Sequence, residues 1–292
     1  MIFIFFYELN LYKMQFKKYS NDFYKKVKIS RKIRLLYKMN VRFVSFVIPT
    51  KEEAGNIGRL IKLINETTKK HNINNEILVI DDQSEDGTIQ EVEELQKNQS
   101  NLKLIQRAYY QHLFPKYPKK WKYIGLGSAH KIGYNLSQGD LIISMDGDLS
   151  NDPKEIPKLL EKISEGYDIC VGSRYIGGGG SDKNLINQVI SRFGNSYITM
   201  LSGIKISDFS TGYRAIKKDI WNKIKDIQYT NDNNFLIESV YFAYKAGAKI
   251  SEIPIFFKER EIGESKTPLI KETIKALILP FKLKSLYRKK SR

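Results

Sequence analysis

Between residues 41 and 174 the chain alternates short apolar runs with longer segments whose apolar residues recur every three or four positions. VRFVSFVIPT (41–50) is a near-continuous apolar run stopped by Pro49, the pattern of a strand buried on both faces. NIGRLIKLINETTKK (56–70) places Ile57, Leu60, Ile61 and Ile64 on one helical face. The two rhythms repeat. Strands are predicted at EILVIDD (76–82), NLKLIQ (101–106), DLIISMD (140–146) and YDICVGSR (167–174). Helices are predicted at SEDGTIQEVEELQKN (84–98), which opens on the capping-type Ser84, at GSAHKIGYNLSQ (127–138) and at DPKEIPKLLEKISEG (152–166). Strands alternating with helices predict an α/β fold, a Rossmann-like, mostly parallel sheet with helices on both faces.

Ligands of such sheets sit beyond the carboxyl ends of the strands, and the acidic clusters fall there. Glu52 and Glu53 follow the first strand, Asp81 and Asp82 the second, and Asp146 and Asp148 the run LIISM. In an extended chain Asp146 and Asp148 would share one face and repel, so a positive partner is expected beside them. Two carboxylates with no His or Cys nearby favour Mg²⁺ or Mn²⁺ over zinc. Such a cation usually completes its shell with phosphate oxygens, which points to a di- or triphosphate ligand. His71, His112 and His130 lack ligand spacing. GLGSA (125–129) is neither a Walker loop nor a full dinucleotide fingerprint, which lowers the weight of P-loop and hydride-transfer chemistry.

Charge changes the picture by where it lies. The 292-residue chain carries a formal +17; residues 1–42 hold 11 Lys/Arg and 2 Asp/Glu, residues 255–292 hold 11 and 4, and the rest 27 and 26. A nucleic-acid reader would more often place its charge on a folded face, whereas basic ends around a near-neutral domain suit an anionic membrane surface. The single Cys170 excludes an internal disulfide and fits a reducing compartment. MIFIFFY has no basic segment before it, and no run reaches the roughly 20 apolar residues of a membrane span. The expectation is a peripheral protein on the cytoplasmic side of a membrane, with no signal peptide or transmembrane helix. LIKETIKALILPFKLKSLYRKK (269–290) puts Ile270, Ile274, Leu277 and Phe281 on one stripe among lysines, the pattern of an interfacial helix that Pro280 would kink. A helix packed on the domain or docked to a partner is the alternative.

VIPTKEEAGNI, VIDDQSEDGT, GLGSA, MDGDLSNDP, GSRY, ISRFGN, SDFSTGYRA and EREIGESK occur in this order over roughly residues 43–268. Together they resemble the family-2, GT-A-fold glycosyltransferases, and among them the dolichyl-phosphate (polyprenyl-phosphate) mannosyltransferases. Beside the two basic ends, the resemblance completes the expected organisation: a basic arm at 1–40, a GT-A domain at 41–268 and a basic amphipathic tail at 269–292. It implies GDP-mannose as donor, dolichyl or polyprenyl phosphate as acceptor, and inversion at the sugar C1. Position by position, Pro49, Thr50, Glu53, Asp81 and Asp82 resemble residues lining the base and ribose, and Asp146 and Asp148 match the metal–diphosphate motif. Arg174, Arg192 and Arg214 resemble arginines facing phosphates or acceptor; Arg174 and Arg192, with Asp148, are assigned to catalysis and the acceptor phosphate, and Arg214 to the nucleotide side. Arg260, Ser265 and Lys266 resemble a segment closing over the donor diphosphate. An acceptor phosphate is already anionic at pH 7, so no catalytic base is assigned.

The pattern is broken in places. Lys51 and Glu52 stand where relatives carry an aromatic residue and Asn, which blurs GDP against UDP, so a UDP-glucose or UDP-GlcNAc transferase to a polyprenyl phosphate stays open. Gly147 replaces a usual Ala, Asn151 a His or Gln, and Asn187 and Gln188 basic residues. RAYYQHLFPKYPKKWKY (107–123) is longer than expected, and GGGG (177–180) reads equally as a hinged lid or a tolerated loop. Many relatives continue into transmembrane helices, so a small membrane-anchoring subunit is a further partner to consider. A receiver domain would be about half this length, and a nucleic-acid-binding module is the remote rival.

Overall fold

The computed structural model describes residues 41–107, 125–182, 184–259 and 269–290, with the side chains of the last segment described for 275–287. The five predicted strands form β1 (Val44–Thr50), β2 (Asn75–Asp81), β3 (Leu102–Gln106), β4 (Leu141–Ser144) and β5 (Ile169–Ser173). β6 (Gly180–Ser181), β7 (Arg214–Lys217), β8 (Ile250–Pro254) and β9 (Phe256–Phe257) follow. Seven strands make one sheet in the order β3-β2-β1-β4-β7-β5-β8, and β6 pairs with β9 in a small second one. β7 runs antiparallel to both β4 and β5, while the other neighbours in the large sheet are parallel.

Side chains alternate across the pleat, so each central strand feeds two cores. Phe46 and Ile48 of β1, with Leu141 and Ile143 of β4, face a core closed by helices α1 (Ile57–His71), α2 (Thr88–Gln96) and α4 (Ile156–Ser164). Val47 and Ile142 face the other, closed by α3 (Leu126–Leu136), α6 (Lys218–Ile224) and α7 (Phe235–Lys245). α1 buries the predicted stripe Ile57, Leu60, Ile61 and Ile64 and stops where Asn72 turns left-handed at φ 52°. The two remaining helices, α5 (Leu185–Ser202) and α8 (Leu269–Lys290), pack on each other.

Three expectations change in detail. α2 begins at Thr88, because Ser84 is engaged elsewhere: its N–H and hydroxyl donate to Asp81, and its Oγ accepts from the Glu52 N–H. β4 ends at Ser144, and the chain then turns through Gly147 and Asp148, so Asp146 and Asp148 do not share a strand face. α8 continues through Pro280 and buries Leu279 and Leu283 in the second core, with Phe281 57% exposed. Its inward face is therefore offset from the Leu277–Phe281 stripe expected from the sequence, and it is a docked helix; the Ile270 and Ile274 side chains lie outside the described set.

Candidate active site

The carboxyl ends of β1 and β2 lie side by side in register. Thr50 is the partner of Asp81, Pro49 of Ile80, and the Asp82 N–H donates to the Thr50 carbonyl at 2.9 Å. Asp81 is completely buried and both of its oxygens accept from Ser84, at 3.0 Å from the N–H and 2.5 Å from the hydroxyl. Asp82 is partly exposed and pairs with Arg107, whose Nη2 lies 3.1 Å from Oδ1. Arg107 is buried; its Nη1 also donates to the Gly125 carbonyl at 3.0 Å and to Ser128 Oγ at 2.9 Å. Burial holds its pKa down against the opposing pull of Asp82. Arg107 thus ties the end of β2 to the GLGSA start of α3. Gly125 is at φ 134°, and a Cβ there would meet the Asn231 carbonyl at 2.5 Å, so that start requires glycine.

Glu53 brings the first acidic loop to the carboxylate loop. Its N–H donates to Thr88 Oγ1 at 2.8 Å and its Oε2 accepts from Asn56 Nδ2 at 3.1 Å. A Cβ on Gly147 would lie 3.4 Å from Glu53 Cγ and 3.5 Å from Thr50 Oγ1. Asp148 is buried and its Oδ1 accepts from the Ser150 N–H at 3.1 Å, which fixes the turn. Asp146 lies behind Gly212, where a Cβ would sit 2.7 Å from Oδ1. The positive partner expected for it from the sequence is a metal cation; the structure also places the charges of Arg174 and Arg214 within electrostatic reach.

Among the described residues no group of three or more His, Cys, Asp or Glu could hold a metal by itself. The two carboxylates nevertheless fit a hard cation that takes its remaining ligands from a diphosphate. Beside Asp146 the amide of Asn151 is 1% exposed; Nδ2 lies 3.5 Å from Asp146 Oδ2, and Oδ1 is buried with no hydrogen-bond partner. An oxygen acceptor orphaned there suits the water shell of a bound cation.

Of the four predicted arginines, the three among the described residues part company. Arg214 is wholly buried: Nη1 donates to the Leu236 carbonyl at 2.7 Å, and Nη2 to the carbonyls of Phe209, at 3.1 Å, and Thr211. It braces the Phe209–Thr211 turn that leads into Gly212, beneath the site, and burial lowers its pKa. Arg174 leaves the end of β5 and is gripped by fully buried Asp208, Nε to Oδ2 at 2.7 Å and Nη2 to Oδ1 at 3.0 Å, with Nη2 also donating to Ser210 Oγ. Burial would lower its pKa, but Asp208 raises it, so the charge is permanent. Arg192, on α5, is exposed. Arg174 and Arg192 line an open cleft of about 530 Å³ with Tyr175, the four-glycine loop, Leu185 and Gln188.

That loop is pinned at both ends. A Cβ on Gly179 would lie 2.6 Å from the Ser173 carbonyl, Gly178 has φ 89°, and Gly180 enters the β6–β9 pair. The segment after β9 is tied to both sides of the site, since the Lys258 N–H donates to the Ser150 carbonyl and the Glu259 N–H to Asp182. Arg260, Ser265, Lys266 and most of the 107–123 insertion lie outside the described residues. Sequence reasoning did not single out Arg107, Tyr175, Asp208 or Gly212. For Asp208 and Gly212 the signal was present, because both lie in the SDFSTGYRA segment.

A parallel sheet with one reversed strand, acidic loops along its carboxyl rim and an arginine-lined cleft beside them define a GT-A-type glycosyltransferase. The chain belongs to Glycosyl transferase family 2, whose sequence profile matches residues 45–225. It is 32% identical over 227 residues to a polyprenol monophosphomannose synthase of Mycolicibacterium smegmatis, covering 75% of this chain and 79% of that one. It is also 32% identical over 230 residues to a dolichol-phosphate mannosyltransferase of Pyrococcus furiosus, covering 76% of this chain and 58% of the relative, less than two thirds of its length. In overall fold it is similar to glucosyl-3-phosphoglycerate synthase from Mycobacterium tuberculosis in complex with Mn²⁺, UDP and glucosyl-3-phosphoglycerate, with TM-score 0.63, 16% identity, and 87% and 85% of the two chains covered. The same enzyme with Mg²⁺ and UDP matches equally, with TM-score 0.63, 16% identity, and 86% and 83% covered. At that identity the likeness is one of fold.

Proposed function

We propose that this glycosyltransferase moves a mannosyl group from GDP-mannose to a polyprenyl or dolichyl phosphate, with inversion, at the surface of a membrane. The observation that carries the reading is the cleft lined by Arg174 and Arg192, whose Arg174 lies within electrostatic reach of Asp146 and whose lining includes exposed apolar residues of α5. The names of the relatives agree with it. An acceptor phosphate oxygen attacks the sugar C1 as the C1–O bond to the diphosphate breaks, and the nucleoside diphosphate leaves with the electron pair. The acceptor brings no proton to remove, so the reading needs orientation and positive charge where others need a base. Arginine suits this, because its planar fork holds phosphate at two points and stays charged. Mg²⁺ or Mn²⁺ held by Asp146 and Asp148 would neutralise charge on the leaving diphosphate.

The membrane part of the reading rests on α5. Leu185, Ile186, Val189, Phe193 and Met200 are each 66–78% exposed and recur at helical spacing along it. Ile278 and Phe281 of the adjoining α8 are also exposed, beside exposed Lys282 and Lys284. An apolar stripe flanked by lysines suits an anionic lipid surface. Among the described residues no helix is long and apolar enough to cross a membrane.

The test is transfer of label from GDP-mannose, UDP-glucose and UDP-GlcNAc to dolichyl phosphate with Mg²⁺ or Mn²⁺, beside Asp148→Asn. Metal-dependent labelling from GDP-mannose alone, lost in the variant, is the expected result. Labelling from a UDP-sugar moves the assignment to that donor. No lipid product from a folded, nucleotide-binding protein overturns the acceptor.

A further inference from the structure

The two cleft arginines come from elements far apart in sequence, and one aromatic ring lies close to both. The Arg174 guanidinium carbon lies 5.0 Å from the centroid of the Tyr175 ring, and that of Arg192 lies 5.9 Å from the same centroid. The phenol hydroxyl is hydrogen-bonded to the side chain of Ser191, the residue immediately before Arg192. The Tyr175 N–H donates to Ser173 Oγ at 3.3 Å, which anchors the other end of the residue to β5. One arginine is already held from behind by Asp208, but Arg192 is exposed and has no such support in the Asp208 network. A long cation on a helix surface loses rotamer freedom when it binds an anion. A ring face beside it lowers that loss and adds a cation–π attraction. Two guanidinium groups left to themselves also repel each other, and the electron-rich faces of a shared ring offset the repulsion.

We propose that Tyr175 is a positioning residue that holds Arg174 and Arg192 together as one two-guanidinium clamp for a phosphate monoester. It acts through the ring on both arginines and through Ser191 on the helix turn that carries the second. The inference rests on the acceptor assignment made above and deepens it, because it identifies what makes the cleft a single anion site. The apolar end of the ligand would then lie toward Leu185 and Val189, on the same lining.

Titration calorimetry of the full-length protein with farnesyl phosphate, in the presence of GDP and Mg²⁺, reads this clamp without turnover. Tyr175→Leu is expected to weaken binding about tenfold, and Tyr175→Phe, which keeps the ring and loses the Ser191 bond, about threefold. GDP affinity and melting temperature should hold in both. In the Tyr175→Leu background, adding Arg192→Ala should cost much less than it does in the parent, since the clamp is already open. Farnesyl phosphate affinity within twofold of the parent for Tyr175→Leu, or full additivity in the double variant, would overturn the proposal. Should Tyr175→Leu not fold, Ser191→Ala gives a second reading: about threefold weaker binding is expected, and an unchanged affinity overturns it. A parent protein that binds GDP but not farnesyl phosphate removes the acceptor assignment itself; a parent and Tyr175→Leu that bind equally remove only the role of Tyr175.

Discussion

Asp208 grips Arg174 at two points, Nε to Oδ2 at 2.7 Å and Nη2 to Oδ1 at 3.0 Å, and Asp208 is completely buried. Its backbone N–H is itself fixed by Glu252 Oε1 at 3.1 Å, so the carboxylate cannot follow Arg174 if the arginine swings out. Asp208→Asn keeps the volume but removes the charge and turns an amide donor toward the guanidinium. Breaking such a buried pair costs on the order of 3 kcal/mol. The variant should lose about that much stability, melt at a lower temperature, and lose at least about tenfold in acceptor affinity, with nucleotide affinity retained. Thermal unfolding and an acceptor titration check both; an unchanged melt would mean that Asp208 does not hold Arg174 in solution.

Two glycines of the carboxylate loop region make opposite predictions. A Cβ on Gly212 would sit 2.7 Å from Asp146 Oδ1 and 3.2 Å from its Cγ, so Gly212→Ala must displace a carboxylate assigned to the metal. Metal-dependent nucleotide binding should fall by about tenfold or more, the size seen when residues supporting a ligand are changed. A Cβ on Gly147 meets nothing closer than 3.4 Å, so Gly147→Ala should bind the metal nucleotide within about twofold of the parent. Titrating Mn²⁺ into the nucleotide complex, followed by the electron-spin signal of free Mn²⁺, compares them directly.

The sequence assigns Arg192 to the acceptor phosphate and Arg214 to the nucleotide side, and the structure separates them further by burial. The guanidinium of Arg214 reaches the Phe209, Thr211 and Leu236 carbonyls at once, a fork a single ammonium cannot reproduce. Arg214→Lys should therefore cost roughly 2–4 kcal/mol of stability. Arg192→Ala on the exposed face should change stability by less than about 0.5 kcal/mol while weakening the acceptor. Denaturant melts of the two variants, read beside acceptor binding, distinguish a brace from a ligand.

The contrast shows where sequence reading succeeds. β1, β2, β4 and β5 were legible because strands buried on both faces write continuous apolar runs, the edge strand β3 because Leu102, Leu104 and Ile105 still mark a short apolar run, and α1 because its stripe repeats at 3.6 residues. β7 (RAIK) was not, being four residues long with a buried arginine at its start and a reversed direction that no local pattern records. β8 (ISEIP) has only Ile253 fully buried, so its apolar signal is weak. The acidic rim was visible because strand ends carry it. The pairs Arg174–Asp208 and Arg107–Asp82 join residues 34 and 25 positions apart, and their partners are chosen by the fold.

His130 gives the protein an acid-side weakness that the site does not explain. Its ring is completely buried between Tyr134 and Phe235, at 5.6 Å from each centroid, and Nδ1 meets the Leu126 carbonyl at 2.9 Å. Nε2 is buried with no partner, so a second proton there would find no acceptor in the protein. Burial first, then the nearby Arg214 charge, push its pKa down to about 4, against the favourable Leu126 carbonyl. The unfolded chain therefore binds a proton near pH 6.5 that the folded chain refuses until near pH 4, so stability falls as pH drops through that window. Between pH 7 and pH 5 the loss from this group is about 2 kcal/mol. His130→Phe keeps a ring against Tyr134 and Phe235 and removes the titration, so its stability should fall by about 2 kcal/mol less than the parent over the same interval. Urea melts of both proteins at pH 7 and pH 5 measure the difference, and parallel losses would show that His130 takes up its proton in the folded state at an ordinary pH.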